Sequence, residues 1–492
     1  MLKAGPNYIG PIPHPAIGIR LPDIVLLPVL RAFKDYNVIG GFMLSYNRET
    51  APRRVLDSLD PKLFLYGHTG TSISEYITKA SEYSLRYGVP IELEADHVSL
   101  MASPEKAIRR IAGAEFEYGL SDEEISESLR YIEEEFKEVK EVGGVNFVTI
   151  DTCELIDLRV DFLNNKEILR IYEETIDEET RKRLENQYLD KTFTFISSKK
   201  IIRLSIKKET LARLALKFLK SMNYVRKVYE AISKYLEPRT FGIEVALDEI
   251  PKVTRPEELF FYLNELKYLG LHPDFIAPSI GFKKREDYTH NLNTLKITIE
   301  TLHTIARSFG TLLSIHSGSG AHPYSDKGLG VWEKIRESTE GMVKYKVSGV
   351  YIQLLLEIMS KFPEGSKPKR LYNEIFDTIY EYLKKVIKER LGLYSKHLEK
   401  MLNEYEESIS KDPKYLRNPR ADFFRHFFFL FQCLRNKKGV RYLRDKVLEI
   451  YEEDKDLKYT YMKEAYELTR RLILKLGFQN NIFKYKFETL IT

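Results

Sequence analysis

The chain has 492 residues, of which 43% are hydrophobic, and its 77 Lys and Arg residues stand against 72 Asp and Glu residues. The net charge of +5 is too small to indicate a protein that binds nucleic acid through bulk charge. Two cysteines, Cys153 and Cys433, exclude a disulfide framework and a cysteine-rich zinc site.

The first apolar run, from Ile24 to Leu30, is short and contains Pro28, so it predicts neither a signal peptide nor a transmembrane helix. We therefore expect a cytoplasmic protein with no membrane partner. Only four glutamines occur among many charged residues, a composition typical of thermophilic proteins.

Eight short segments rich in β-forming residues are each followed by a stretch with helical periodicity. This alternation predicts parallel strands joined by right-handed crossovers, and eight strands predict a closed barrel. The fold class is thus α/β, a (β/α)8 TIM-like barrel. The predicted strands are Val38–Met43, Leu63–Tyr66, Ile91–Ala95, Asn146–Ile150, Phe241–Val245, Asp274–Ala277, Thr311–Ile315 and Val343–Val347.

Long helical stretches flank these strands. Ser121–Val142 begins with Ser-Asp-Glu-Glu, in which Ser121 and Glu124 can form a capping box. A broad apolar stripe predicts a second helix from Glu209 to about Tyr235.

Two regions exceed what a barrel needs. About ninety residues separate the fourth and fifth strands and include a hairpin at 192–206, which predicts an insertion at about 152–238 that could cover the barrel mouth. Residues 1–365 would then form the barrel with its insertion. Residues 366–492 would form a helical cap or a contact in a homo-oligomer.

Polar residues follow most of the predicted strands, and in a barrel of this type the carboxyl ends of the strands form the active-site face. We therefore expect the substrate to meet side chains from several loops. The candidates in chain order are His68 and Thr69, Asp96 and His97, Asp151, Asp248 and Glu249, His316, Ser317 and Ser319, and Lys346 with Ser348.

His97 and His316 offer imidazole nitrogens from different parts of the ring of strands. With an oxygen ligand from Glu244, Asp96 or Asp151, they could hold one divalent ion and leave positions open for a substrate. Glu244 stands inside an apolar strand, where a carboxylate needs a metal, a proton or an ion pair with Lys344 or Lys346. Asp96 could act as a general base or could orient the neighbouring imidazole.

Two further segments could contact an anionic substrate. The run Ser-Ile-His-Ser-Gly-Ser-Gly (314–320) exposes backbone amides that could hold a carboxylate or a phosphate. His426 lies in an aromatic helical segment with Arg420 and Arg425, which could reach an anion if the cap closes over the mouth.

Five segments carry a family resemblance. Glu-Ala-Asp-His-Val (94–98), Phe-Val-Thr-Ile-Asp (147–151), Phe-Gly-Ile-Glu-Val-Ala-Leu-Asp-Glu (241–249), Ser-Ile-His-Ser-Gly-Ser (314–319) and Val-Lys-Tyr-Lys-Val-Ser-Gly (343–349) resemble those of the tagaturonate epimerase family in order and approximate spacing. Those enzymes interconvert D-tagaturonate and D-fructuronate with a divalent metal.

The resemblance implies roles for four residues. Asp96 would be the proton acceptor, Glu244 the proton donor, and His97 and His316 two metal ligands, while no third ligand is identified. A sugar acid would be the substrate. We also expect His68, Thr69, Asp151, Ser317, Ser319 and Lys346 to bind it.

The epimerised carbon carries a hydroxyl β to the ketone, so its hydrogen is not acidified directly. Retro-aldol cleavage and re-addition would invert this centre, and a two-base proton exchange is the rival mechanism. A metal-dependent aldolase or lyase is an alternative function on the same barrel. A non-catalytic scaffold that uses its basic C-terminal helices is another, although Glu and Asp interleave those basic residues.

Overall fold

A closed barrel of eight parallel strands forms the centre of the computed structural model, which describes residues 2–111 and 119–485. The barrel strands are β2, β3, β6, β7 and β10–β13, each paired with the next along the chain, and β13 pairs with β2 to close the ring. The strands are β1 (Gly5–Pro6), β2 (His14–Gly18), β3 (Gly40–Ser45), β4 (Thr50–Ala51), β5 (Thr71–Ser72), β6 (Pro90–Ser99), β7 (Phe147–Asp151), β8 (Thr192–Ile196), β9 (Ile201–Ser205), β10 (Gly242–Leu247), β11 (Phe275–Pro278), β12 (Leu312–Ile315) and β13 (Val343–Val347).

Helices cover the outside of the barrel and form the C-terminal region. They are α1 (Pro22–Asp35), α2 (Arg53–Asp57), α3 (Ile73–Tyr87), α4 (Pro104–Ile111), α5 (Asp122–Glu141), α6 (Asn165–Thr175), α7 (Glu178–Tyr188), α8 (Lys208–Leu236), α9 (Pro256–Tyr268), α10 (Leu292–Arg307), α11 (Val331–Thr339), α12 (Val350–Ser360), α13 (Lys367–Glu389), α14 (Lys396–Lys411), α15 (Asp422–Phe427), α16 (Leu430–Cys433), α17 (Tyr442–Glu453), α18 (Lys455–Leu476) and α19 (Asn481–Lys484). The capping box of Ser121 and Glu124 is present at the start of α5, as predicted. In the described part of the chain, no helix combines the length and apolar character that crossing a membrane requires.

One of the eight predicted strands is wrong. Leu63–Tyr66 is not a strand, because Asp60 caps a short 3₁₀ helix at Pro61–Leu63 and the chain then turns. Leu65 is 2% exposed, so the apolar character of this segment comes from loop packing. The missing strand is β2, His14–Gly18, whose Pro15 and Gly18 weaken its sequence signal.

The interior of the barrel is charged rather than purely apolar. Glu92, Glu94, Glu244, Lys344 and Lys346, which we call the charge ladder, are each at most 4% exposed. Lys344 Nζ lies 2.8 Å from both Glu92 Oε1 and Glu94 Oε2, and Lys346 Nζ lies 3.0 Å from Glu244 Oε1. Opposite charges therefore alternate along the barrel, which offsets the cost of burying each of them.

The insertion between β7 and β10 contains the predicted hairpin, β8 and β9, and the long helix α8. Its residues pack beside the barrel, where Ser197 contacts Thr304 and Ser198 contacts Glu340. Contrary to the expectation from the sequence, none of its described residues lines the cavity at the barrel mouth. The C-terminal region lies over that mouth instead, because His426, Phe428 and Phe429 line the cavity.

Candidate active site

A cavity of about 140 Å³ lies at the carboxyl ends of the barrel strands. Its lining comes from the strand ends, from the loops that follow them and from the C-terminal region. The residues used below are Arg20, Ser45, Arg48, His68, Asp96, His97, Asp248, Lys284, Arg285, His316, Ser317, Ser319, Lys346, His426 and Phe428. The predicted residues Asp96, His97, His316 and Lys346 therefore meet at one cavity.

A bulge in β6 allows two consecutive residues to face this cavity. Ala95 pairs with Val148 and Val98 with Ile150, so β6 has one extra residue between these pairs. His97 adopts a left-handed conformation with φ of 45°, which interrupts the usual alternation of side chains. Asp96 and His97 both line the cavity as a result.

His97 and His316 lie side by side, with their ring centroids 5.0 Å apart. His97 Nδ1 is 2.9 Å from Asp151 Oδ2, and Asp151 Oδ1 in turn accepts a hydrogen bond from the backbone N–H of Cys153. Asp151 thus fixes the orientation of His97 and leaves its Nε2 atom available as a ligand. This places Asp151 behind the histidine, and it is not among the described residues that line the cavity.

Asp248 completes a group that could hold a divalent ion. Ligand atoms of His97, Asp248 and His316 all lie within 4.8 Å of one another. Both carboxylate oxygens of Asp248 and the Nδ1 atom of His316 are buried and have no hydrogen-bond partner among the described residues. Two imidazoles and a carboxylate form a donor set suited to a catalytic divalent metal, so these residues fit the ion that the sequence predicted.

A second group, His97, Asp151 and Glu249, also has ligand atoms within 4.8 Å of one another. Its carboxylates are already engaged, however. Asp151 bonds to His97, and Glu249 Oε1 lies 2.8 Å from both Arg48 Nη1 and Lys284 Nζ. The group that contains Asp248 is therefore the better candidate.

The sequence placed Asp248 and Glu249 directly after a barrel strand but did not distinguish the roles of these two carboxylates. The distinguishing signal is position relative to β10, which ends at Leu247. Asp248, the first residue beyond the strand, faces His316.

Lys346 joins the charge ladder to the cavity. Its Nζ atom is 2.8 Å from Asp96 Oδ1 and 3.0 Å from Glu244 Oε1. Ser45 Oγ donates a 2.9 Å hydrogen bond to the other oxygen of Asp96. Asp96 is therefore held from both sides, with one edge toward the cavity.

Glu244 lies deeper in the barrel than Asp96, below the cavity. It is fully buried, its Oε1 atom is 2.5 Å from His316 Nε2, and it is not among the described residues that line the cavity. The ion pair with Lys346 that the sequence suggested is present. Glu244 thus contacts two residues that line the cavity, and one of them, His316, is a candidate metal ligand.

The electrostatic environment favours ionised carboxylates and a positive charge at His316. Burial works to raise the pKa of Asp96, but Lys346 and the two histidines hold it well below its usual range. Burial works to lower the pKa of His316, but Asp248 and Glu244 raise it to about 9. The surrounding carboxylates would favour a metal ion at this point for the same reason.

The remaining predicted binding residues divide into two groups. His68, Ser317 and Ser319 line the cavity. Thr69 does not: its hydroxyl donates to the Glu49 carbonyl at 2.6 Å and accepts from the Thr71 N–H, so it shapes the loop. Ser317 has φ of 56°, a left-handed conformation that turns the chain directly after His316.

Comparison with known proteins gives a family and a fold. The sequence model of the UxaE tagaturonate epimerase family matches residues 127–472, more than half of the chain. No curated protein sequence matches the chain significantly.

Solved structures of fructuronate-tagaturonate epimerase UxaE from Cohnella laeviribosi are similar to this chain. Its complexes with one and with two glycerol molecules each have a TM-score of 0.66, and the native crystal structure has a TM-score of 0.64. Sequence identity is 19% in each case, and the alignment covers 96% of this chain and 83% of the other. This similarity shows a shared fold.

Proposed function

Because the chain belongs to the tagaturonate epimerase family, a family of isomerases, we propose that it interconverts D-tagaturonate and D-fructuronate and uses a divalent metal ion. The observation that supports this proposal is the convergence of Asp96, His97, Asp248, His316 and Lys346 on one cavity. The cavity thus contains a candidate base, Asp96, beside a cation, Lys346, and a candidate metal site.

The proposed metal ligands are His97, His316 and Asp248. When bound, the ion would polarise the ketone of the substrate and stabilise negative charge that develops on its oxygen. Asp151 and Glu244 would orient the two imidazoles from behind.

In the proposed retro-aldol route, Asp96 takes the proton of the hydroxyl β to the ketone, and the bond between C3 and C4 breaks. The bonding electrons pass to the ketone fragment, and C4 becomes an aldehyde. The aldehyde fragment rotates and presents its other face, the bond forms again, and Asp96 returns the proton. Lys346, 2.8 Å from Asp96, keeps this carboxylate ionised at the start of the cycle.

The role of Glu244 follows from its position below the cavity. The family resemblance implies a proton donor at this residue. Because Glu244 contacts Lys346 and His316, which both line the cavity, we propose that it acts on the substrate through these two side chains.

Incubation of the metal-loaded protein with D-tagaturonate in D₂O, followed by NMR, tests this function. We expect D-fructuronate with no deuterium at C4, since the carbon–hydrogen bond at C4 stays intact in the retro-aldol route. Deuterium at C4 would indicate two-base proton exchange. Accumulation of two three-carbon products would instead identify an aldolase, and an unchanged substrate would reject the proposal.

A further inference from the structure

Several cationic side chains border the same cavity, and their partners differ. Arg48 pairs with Glu249 at 2.8 Å. Arg285, by contrast, forms no ion pair with the residues that the structure describes; its Nη1 atom donates to the backbone carbonyls of Arg425 and His426. These carbonyls are neutral, and the carboxylate that acts on Arg285 at longer range, Glu49, already pairs with Arg20.

Arg20 is the second unusual cation. It follows β2, is 7% exposed, and donates from Nε to Ser348 Oγ at 3.0 Å, while Nη2 pairs with Glu49. Its Nη1 atom is buried and has no hydrogen-bond partner within residues 2–111 and 119–485. An unsatisfied buried guanidinium N–H is costly, so it indicates a place where a ligand acceptor binds.

The surroundings contain an excess of positive charge. Burial, together with Arg20 and Arg425, lowers the pKa of Arg285 to about 9. Burial and the nearby Arg20 and Arg285 also hold the pKa of His68 well below its usual range, so this ring is neutral at pH 7. An anion bound beside these arginines would relieve their mutual repulsion.

We propose that Arg20 and Arg285 bind the carboxylate of the substrate and thereby select sugar acids over neutral ketohexoses. This inference rests on the proposed function, which supplies a substrate with one carboxylate. A planar guanidinium matches a carboxylate with two parallel hydrogen bonds, and both side chains line the cavity that contains Asp96 and His97.

The C-terminal region takes part in this proposed subsite through its contacts with Arg285. The carbonyls of Arg425 and His426 hold Arg285, and the ring of Phe428 lies with its centroid 4.9 Å from the Arg285 guanidinium carbon. The region thus fixes the carboxylate-binding side chain in place.

The test compares D-tagaturonate with D-tagatose, which carries a CH₂OH group in place of the carboxylate. For Arg20→Gln and Arg285→Gln we expect kcat/KM on D-tagaturonate to fall by about 100-fold, the effect of losing a charge-assisted hydrogen bond. Activity on D-tagatose should change little. Arg435→Gln is the matched control, because Arg435 also donates to two backbone carbonyls but does not line the cavity.

Calorimetry of D-fructuronate binding to the metal-loaded variants separates the two proposals and does not depend on turnover. We expect both substitutions to weaken this binding and Arg435→Gln to preserve it. Binding that needs the two arginines without turnover would reject the epimerase function and keep the carboxylate subsite. The subsite would be overturned if both variants kept the wild-type kcat/KM and affinity for the sugar acids. Equal losses of kcat/KM on the acid and on the neutral sugar would also overturn it.

Discussion

The Nδ1 atom of His316 lies 3.0 Å from Oδ1 of Asp248, yet the two atoms are not aligned for a hydrogen bond. An imidazole nitrogen and a carboxylate oxygen this close could both bind one divalent cation, which would take the place of the proton that Asp248 otherwise favours on His316. The pair therefore gives a direct way to test the third metal ligand, which the sequence left open.

Asp248→Asn should weaken binding of a divalent metal by more than about 100-fold, the upper end of the loss caused by removing an outer-shell partner. Glu249→Gln is the matched control, because Glu249 is the neighbouring carboxylate and pairs with Arg48 and Lys284. Metal titration followed by elemental analysis measures both. If only the Glu249 variant lost its metal, the metal ligands would instead be His97, Asp151 and Glu249.

Removal of the metal should abolish turnover and lower the thermal unfolding temperature. An ion that binds only the folded chain stabilises it by mass action, which explains the lower unfolding temperature. Restoring a divalent ion should bring back both turnover and the original unfolding temperature. Turnover and calorimetry before and after chelation provide the measurement. Full activity in protein that elemental analysis finds to be metal-free would contradict a metal-dependent reaction.

Glu244→Gln should lower kcat by at least about 100-fold at saturating metal, since it disturbs both His316 and Lys346. The amide keeps the size of the side chain, so the fold should persist. Glu92→Gln is the control: Glu92 pairs with Lys344 and His14 and is not among the described residues that line the cavity. Equal kcat in the two variants would make Glu244 a structural residue.

Lys344→Met and Lys346→Met should each destabilise the fold by about 3–5 kcal/mol, because each removes one of the two lysine charges that offset the buried carboxylates of the charge ladder. Only the second should also abolish turnover, since Lys346 lies against Asp96. Denaturant unfolding and residual activity at low temperature separate the two effects. An active Lys346→Met protein would remove this residue from the reaction.

The stability of the chain should depend on pH through Asp274. Burial raises its pKa to about 6, against the hydrogen bonds from Tyr8 and the Ile243 N–H. A carboxyl with a raised pKa in the folded state contributes most at low pH and loses this contribution as pH rises from about 4 to 6.

Relative to Asp274→Asn, the wild type should therefore lose about 3 kcal/mol of stability across this interval. Asparagine can keep both contacts, because the Tyr8 hydroxyl can accept from its amide. Urea unfolding at several pH values gives the difference between the two proteins. A difference that stays constant with pH would contradict a raised pKa.

Most of the barrel could be predicted because seven strands are apolar runs followed by amphipathic helices. The exception shows the limit of this signal. His14–Gly18 is a strand because it closes the ring between β3 and β13, a long-range requirement that Pro15 and Gly18 conceal locally. Leu63–Tyr66 has strand composition, but its apolar side chains serve a loop.

The site was predictable where position along a strand decides which way a side chain faces. Lys346 and His316 follow this rule. His97 depends on a bulge, and Arg285 depends on a left-handed backbone with φ of 62°, neither of which has a clear sequence pattern. Arg20 was missed because it follows the strand that was missed.

The charge ladder has a consequence for directed evolution. Its upper end, Lys346, pairs with the buried Glu244 and also lines the cavity beside Asp96, so mutations there should affect folding and chemistry together. Libraries aimed at new sugars should therefore yield functional clones when they vary Arg20, Arg285 or the segment around Phe428. Randomising Glu94 or Lys346 should mostly return insoluble protein.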